Sequence, residues 1–283
     1  MPVVVSTTPS AVDLWTMTTI CNLVLELLLL SLLARYSTAD ILCLIHTATP
    51  SHETRARTIA ETWAPRCDRH LFFTDSPIRE DSAPLQVRVV SRLAEQSICR
   101  HVVESLPAAD WYVRADDDAY VLVENVRHFL RDKNASQPHL FGYRWDFYAP
   151  HGFADGAVYI LSRPAVEAFL EAMDAEGNDG SRPCPEFQRA EEDQELARCL
   201  AHMGIEPEDA RSPQGSDRMH HFHPILHLHI HEFWFVRRHQ FYAARKQELN
   251  FAPSQISFHH ISPFEMRMIH FFLYQMARGS PRV

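Results

Sequence analysis

The stretch Asp110-Trp111-Tyr112-Val113-Arg114-Ala115-Asp116-Asp117-Asp118-Ala119-Tyr120-Val121 constrains this chain more than any other. Strand formers flank three consecutive carboxylates: Trp111, Tyr112 and Val113 before them, Tyr120, Val121, Leu122 and Val123 after them. That pattern predicts a triplet at a strand end. Adjacent Asp side chains repel one another unless a cation neutralises them, and hard divalent ions prefer carboxylate oxygens. An Asp-x-Asp in that position suits a Mg²⁺ or Mn²⁺ that also holds a diphosphate. The alternative is an acidic surface turn, because Asp favours turns.

Length and charge narrow the class. A chain of 283 residues can bury a sizeable core in one large domain or two small ones. The net charge of −9 argues against nucleic acid as the main partner. Only 8 Gly occur and none form a phosphate-cradling G-x-G-x-x-G or G-x-x-x-x-G-K-[ST] run, so a cation would have to hold any phosphate.

The N-terminus stands apart. Residues 14–34 are mostly apolar and approach the length of a membrane span, with one internal charge at Glu26. No Lys or Arg precedes the segment and Arg35 follows it, so neither the positive-inside rule nor a cleaved signal peptide is well served. We read a signal anchor; a buried or amphipathic helix is the alternative. Six cysteines fall at 21, 43, 67, 99, 184 and 199, and spacing alone leaves them open as disulfides or buried thiols. Asn134-Ala135-Ser136 is an N-glycosylation sequon that would suit a lumenal chain.

Between residues 39 and 276 strand-like and helix-like runs alternate, with no repeat and no linker. Strands are expected at 41–46, 70–74, 87–90 and 157–161. Helices are expected at 53–63 (capped by Thr49 or Ser51 and ended by Pro65), 92–106, 124–130, 164–173 and 191–203. Residues 141–148 read as aromatic and irregular. The alternation predicts an α/β fold with a mainly parallel sheet in one catalytic domain, 39–276, between an N-terminal segment, 1–38, and a tail, 277–283.

An ordered series of motifs then adds up to a resemblance. Thr47, Thr62-Trp63-Ala64-Pro65-Arg66-Cys67, Asp110-Trp111, Asp116-Asp117-Asp118-x-Tyr120-Val121, Phe141-Gly142, Tyr159-Ile160-Leu161-Ser162, Glu192-Asp193 with Arg198-Cys199, Phe222-His223-Pro224, Phe233-Trp234 and Ser257-Phe258-His259 run in order over residues 40–262. Together they resemble the Fringe-like β1,3-glycosyltransferases, and Phe-His-Pro with Phe-Trp favours the core 1 branch over Fringe itself.

The resemblance implies a single A-type glycosyltransferase domain with a Rossmann-like sheet, in a single-pass type II Golgi membrane protein whose catalytic domain is lumenal. It implies Mn²⁺, a UDP-galactose donor and a GalNAc-bearing glycoprotein acceptor, with inverting transfer to the GalNAc 3-hydroxyl. A homodimer is compatible with it. By position, Asp116, Asp118 and His259 correspond to the metal ligands, and oxygen with imidazole ligation suits Mn²⁺ better than Ca²⁺. Asp193 corresponds to the catalytic base. His46, Thr47, Arg57, Arg92, Asp116 and Asp117 lie at donor-binding positions, and Glu192 and Trp234 on the acceptor side. Cys43 with Cys67, and Cys184 with Cys199, occupy positions that the family bridges.

Departures leave other functions open. The family's Gly-rich turn is here Ala154-Asp155-Gly156-Ala157-Val158, and Val158 at a Gly position would narrow a donor site. The uridine loop after Val87 is short, and a C-terminal cysteine pair is absent. A β1,3-N-acetylglucosaminyltransferase or an inactive, chaperone-like paralogue are the alternatives. Ten of the 18 histidines lie between 220 and 270, and the alternation His227-Leu228-His229-Ile230-His231 reads as a strand with one imidazole face that could bind Zn²⁺.

Overall fold

The structure, a computed structural model, describes residues 39–76, 87–89, 95–176, 184, 191–229, 232–242 and 251–276. The apolar segment 14–34, Arg92 and His231 lie outside the described residues. No helix among the described residues is long and apolar enough to cross a membrane.

The described residues form nine strands: β1 (Ile41–His46), β2 (Arg69–Thr74), β3 (Val87–Val89), β4 (Trp111–Asp116), β5 (Tyr120–Val121), β6 (Leu140–Trp145), β7 (Phe153–Ser162), β8 (Pro207–Glu208) and β9 (Ser257–Phe258). Seven form a sheet in the order β3-β2-β1-β4-β7-β6-β8, and β5 pairs with β9 in a small second sheet. The half from β3 to β4 is parallel, whereas β7 runs antiparallel to both β4 and β6. Because β6 and β8 are parallel to each other and β7 alone is reversed, the sheet is mainly parallel, as expected, with one antiparallel strand.

Period-two alternation sorts side chains onto the two faces. Ile41, Cys43, Ile45, Trp111, Val113 and Ala115 join one apolar cluster. Leu42, Leu44, Tyr112 and Tyr159 join the other. Helices Arg163–Asp174 and Glu192–His202 cover the second face through Phe169, Leu196 and Leu200, while Val123–Leu130 covers the first through Val126 and Leu130. Each fully buried large side chain of this kind contributes about 2 kcal/mol. Continuing the second face to the strand ends brings His46, Arg114 and Asp116 together, because His46 is the register partner of Asp116.

Several local expectations change. Residues 141–145 are not irregular, although 146–148 are bends: Leu140–Trp145 is β6, and a close approach fixes it, since a Cβ at Gly142 would lie 2.7 Å from Ala154 Cβ. Gly152 turns the chain into β7 at φ +72°, where a Cβ would collide with the Trp145 carbonyl. The segment 49–61 is helical but winds irregularly, and no side chain caps it. The histidine run does not form a strand at His227: Pro224–His227 is a short helix that Pro224 starts and His223 caps, Nδ1 accepting from the Ile225 amide at 3.2 Å. Disulfides join Cys43 to Cys67 and Cys184 to Cys199. The second closes a 15-residue separation onto the Glu192–His202 helix, a restraint worth about 3 kcal/mol in the chain-entropy model.

Candidate active site

The carboxylate triplet ends β4, and a turn, Ala119 N–H to Asp116 O at 3.1 Å, leads straight into β5. Tyr120 pairs with Phe258 of β9, and the Ile261 amide donates to the Asp118 carbonyl at 2.9 Å. This lacing carries His259 onto the triplet although roughly 140 residues separate them in sequence. Its Nε2 stands 2.9 Å from Asp118 Oδ1 and 3.6 Å from Asp116 Oδ2. Its Nδ1 lies 2.8 Å from the His221 carbonyl, an acceptor only, so Nδ1 keeps a proton in either charge state; Nε2 donates to Asp118 while the imidazole is charged and would offer its lone pair to a metal once neutral.

Two carboxylates and one imidazole lone pair at a strand end fit a divalent ion of the Mn²⁺ type. His260 adds Nδ1 at 3.5 Å from Asp118 Oδ2, with its backbone at φ 56°. Burial by itself would raise the Asp118 carboxyl, but the hydrogen bond and charge of His259, with Arg55 and His260, hold it at about 2. Burial by itself would lower His259, and the Asp118 carboxylate raises it instead.

Around the triplet lie two cavities that share Arg114, Asp116 and His259. The first, about 530 Å³, is lined by His46, Thr47, Arg55, Asp117 and Asp118. Within it Asp117 accepts from Thr47 Oγ1 at 2.7 Å and from Arg55 Nη1 at 3.2 Å. Arg55 also reaches Asp118 at 3.7 Å. Arg57 does not join them; it pairs with Glu53 one turn away at 2.5 Å. Burial, with Arg114 beside it, holds the His46 imidazole well below its usual range.

The second cavity, about 460 Å³, holds Asp155, Glu192 and Asp193 against the aromatic rings of Trp145, Phe147, Phe153 and Phe235. Asp193 sits in the first turn of helix Glu192–His202. Its Oδ2 accepts from the Gly156 amide at 2.7 Å, and Oδ1 from the Gln194 amide at 2.8 Å. A Cβ at Gly156 would come within 3.1 Å of Asp193 Oδ2, so only glycine leaves that approach unhindered. Burial, then the charges of Asp155 and Glu192, push the Asp193 carboxyl up to about 7.

Glu192 points elsewhere. It accepts from Tyr159 Oη at 2.5 Å and pairs with Arg114 at 2.8 Å. Arg114 pairs with Asp116 at 2.7 Å as well, contacts His46 Nδ1 at 2.9 Å and donates to the Gly156 carbonyl. This buried guanidinium is the wall between the cavities. Trp234 is 71% exposed and Phe235, its neighbour, lines the second cavity instead. Val158 faces the first apolar cluster beside Ala115, so it does not narrow either cavity. Asn134 is exposed, in a turn where its side chain accepts from Ser136.

Sequence reading passed over Arg114, Arg55, Asp155, His221 and His260. Arg114 had a signal: a lone charge in an apolar strand, two residues before Asp116 and so on its face.

The profile of the Fringe-like family matches residues 36–276. The chain belongs to the Fringe-like family. A curated relative from Xenopus laevis, glycoprotein-N-acetylgalactosamine 3-beta-galactosyltransferase 1, is 27% identical over 250 residues, which is 83% of this chain and 66% of that relative's length. Among solved structures, the galactosyltransferase LgtC with donor and acceptor sugar analogues is 12% identical, with TM-score 0.45 over 84% of this chain and 99% of its own. The mannosyltransferase PcManGT from Pyrobaculum calidifontis, in complex with GDP-Man and Mn²⁺, is 14% identical, with TM-score 0.38 over 64% of this chain and 59% of its own.

Proposed function

We propose that this Fringe-like chain is an inverting, metal-dependent galactosyltransferase that moves galactose from UDP-galactose to the 3-hydroxyl of GalNAc O-linked to Ser or Thr. The frog relative, a glycoprotein-N-acetylgalactosamine 3-beta-galactosyltransferase by name, supports the choice of transferred sugar and acceptor. The single observation that carries the reaction type is Asp193, a carboxylate pushed up to about 7 in a cavity that opens onto the shared Asp116–His259 edge.

An inverting transfer needs a base on the side of the sugar opposite the leaving diphosphate. With the donor in the cavity of Thr47 and Arg55 and the acceptor in the cavity of Asp193, the base and the leaving group fall on opposite sides of the Arg114 wall. Asp193 takes the proton of the acceptor hydroxyl as its oxygen bonds to the anomeric carbon and the bond to the diphosphate oxygen breaks. A carboxylate with proton affinity near neutrality is half ionised at cellular pH and still basic enough to accept that proton. Asp116, Asp118 and His259 would hold Mn²⁺, which when bound supplies positive charge to the departing diphosphate. Arg55 orients Asp117 and Asp118, and the His221 carbonyl keeps His259 in the tautomer whose Nε2 faces them.

The reading extends to the secretory pathway: a type II Golgi protein anchored by residues 14–34. Two disulfides and an exposed sequon asparagine support it. The deciding assay offers UDP-galactose and UDP-GlcNAc to a GalNAc-Thr peptide with Mn²⁺ or EDTA, followed by linkage analysis. A Mn²⁺-dependent β1,3-galactosyl product is expected; no product from either donor would overturn the proposal.

A further inference from the structure

The segment of β7 whose Gly156 amide holds Asp193 also holds a second carboxylate. Successive amides of one short segment each serve one acid: Gly156 N–H donates to Asp193 Oδ2 at 2.7 Å, and Ala157 N–H donates to Asp155 Oδ1 at 2.9 Å. Asp155 is almost wholly buried. Its other oxygen, Oδ2, accepts from Trp145 Nε1 at 2.6 Å and lies 2.5 Å from His221 Nδ1. Three neighbours therefore fix this carboxylate in place. Burial alone would raise it, but those neighbours hold it at about 2, so it carries its charge throughout the pH range of an enzyme assay.

A fixed negative charge in a dry wall disfavours ionisation of a second carboxyl nearby. The transfer proposed above makes no use of Asp155. We propose that Asp155 is a positioning residue that sets the proton affinity of the base Asp193, through the 155–157 segment of β7 whose amides they share and the charge it keeps beside it. Trp145 and His221 are its anchors. The inference rests on Asp193 being the base. Other charged groups also line the cavity: Glu191 and Glu192 from the helix, Arg114 and Asp116 from β4, and His221 and His259 from the C-terminal segments. Arg114 is engaged by both Glu192 and Asp116, while Asp155 and Asp193 accept from successive amides of one β7 segment.

The test is the pH profile of kcat/KM for galactose transfer, at saturating Mn²⁺, in wild type, Asp155→Asn and Asp155→Ser. Asn keeps the size of the side chain. Ser keeps an acceptor for the amide two residues on, should Asn disturb this segment of β7. Removing the charge should move the acid limb down by about one pH unit, so activity at pH 5 relative to pH 8 rises by about tenfold. A role confined to structure would lower the rate equally at every pH, and an unmoved limb in a variant with wild-type melting and donor binding overturns the proposal. Asp193→Asn separates the two readings: if it transfers at the wild-type rate, the base is wrongly assigned; if it fails while Asp155→Ser keeps the wild-type limb, only the role of Asp155 is wrong.

Discussion

The two cavities are built from the same kind of side chain and treat it in opposite ways. On the Thr47–Arg55 side, Asp117 and Asp118 face cations: Arg55 touches both, and His259 stands 2.9 Å from Asp118. The Asp118 carboxyl is held at about 2, the state of a permanent anion ready for a metal. On the other side Asp193 faces two backbone amides, no cation within ion-pair distance among the described contacts, and two like charges, and it sits at about 7. The same side chain thus becomes an anion at Asp118 and a base at Asp193 through its surroundings, while burial raises Asp116 on the edge that the two cavities share. What divides them is Arg114, whose charge is spent on Asp116 and Glu192 and does not reach Asp193 as an ion pair.

The largest expected effect tests the ligand side. Replacing His259 by Ala removes the imidazole that, among the described residues, faces both Asp116 and Asp118, and transfer should fall by roughly 10³-fold with loss of the Mn²⁺ response. Initial rates across a Mn²⁺ titration measure it. Retention of a wild-type Mn²⁺ curve would collapse the distinction between the two cavities.

A smaller effect sharpens the same side. Arg55→Ala should weaken UDP-galactose binding by about tenfold, since it frees two carboxylates to repel the diphosphate. Arg57→Ala should leave binding within about twofold, because its exposed pair with Glu53 contributes little. Calorimetric titration of both variants distinguishes them. Equal losses would mean that the pairing of Arg57 with Glu53 gives way when the donor arrives.

Much of this was legible in the amino-acid order, and the failures have physical causes. The strand before the triplet, the helix bearing Asp193 and the conjunction of Asp116, Asp118 and His259 follow from strand formers, an acidic first turn and the family resemblance. Alternation misled at the histidines. His227 and His229 are two apart, but Pro224 with the His223 cap commits the chain to a helical turn before the alternation begins. Residues 141–148 hid a strand because Tyr143, Trp145 and Phe147 pack into an aromatic cluster with Phe153 rather than facing solvent alternately. Arg55 and Arg57 are two residues apart, at the junction of a π-helical and an α-helical stretch, and which of them faces the site depends on winding that no spacing rule supplies. Asp155 was unreadable because its partners, Trp145 and His221, come from distant segments.

The smallest expected effect concerns stability rather than transfer. His220 and His227 are buried and 3.0 Å apart through their Nδ1 atoms. His227 Nε2 accepts from the Phe222 amide at 3.0 Å, so its proton is on Nδ1 and points at His220. Burial holds both imidazoles neutral, at about 3 for His220 and about 2 for His227. Both folded values lie below that of the unfolded chain, which therefore binds more protons. This stability is complete above about pH 6.5 and is lost as pH falls from there toward 3. Asp193 acts in the opposite sense between about pH 7 and 4, so a variant comparison isolates the histidine. His227→Gln, whose amide oxygen can take over the Phe222 hydrogen bond, should flatten the fall by about 1.4 kcal/mol per pH unit below pH 6. Denaturant titrations at pH 7, 6 and 5 read this, and parallel slopes in the two proteins would refute it.

The measurement closest to the division between ligand and base is single-turnover galactose transfer by Asp193→Asn and Glu192→Gln, with UDP-galactose binding measured on the same samples. Asn keeps the size of Asp193 and still accepts one amide hydrogen bond, but it cannot take a proton. Asp193→Asn should bind donor as wild type does and transfer at least about 10²-fold more slowly, and Glu192→Gln should fall by less than Asp193→Asn. Wild-type transfer by Asp193→Asn, with the large loss appearing in Glu192→Gln, would contradict the assignment and move the base to Glu192.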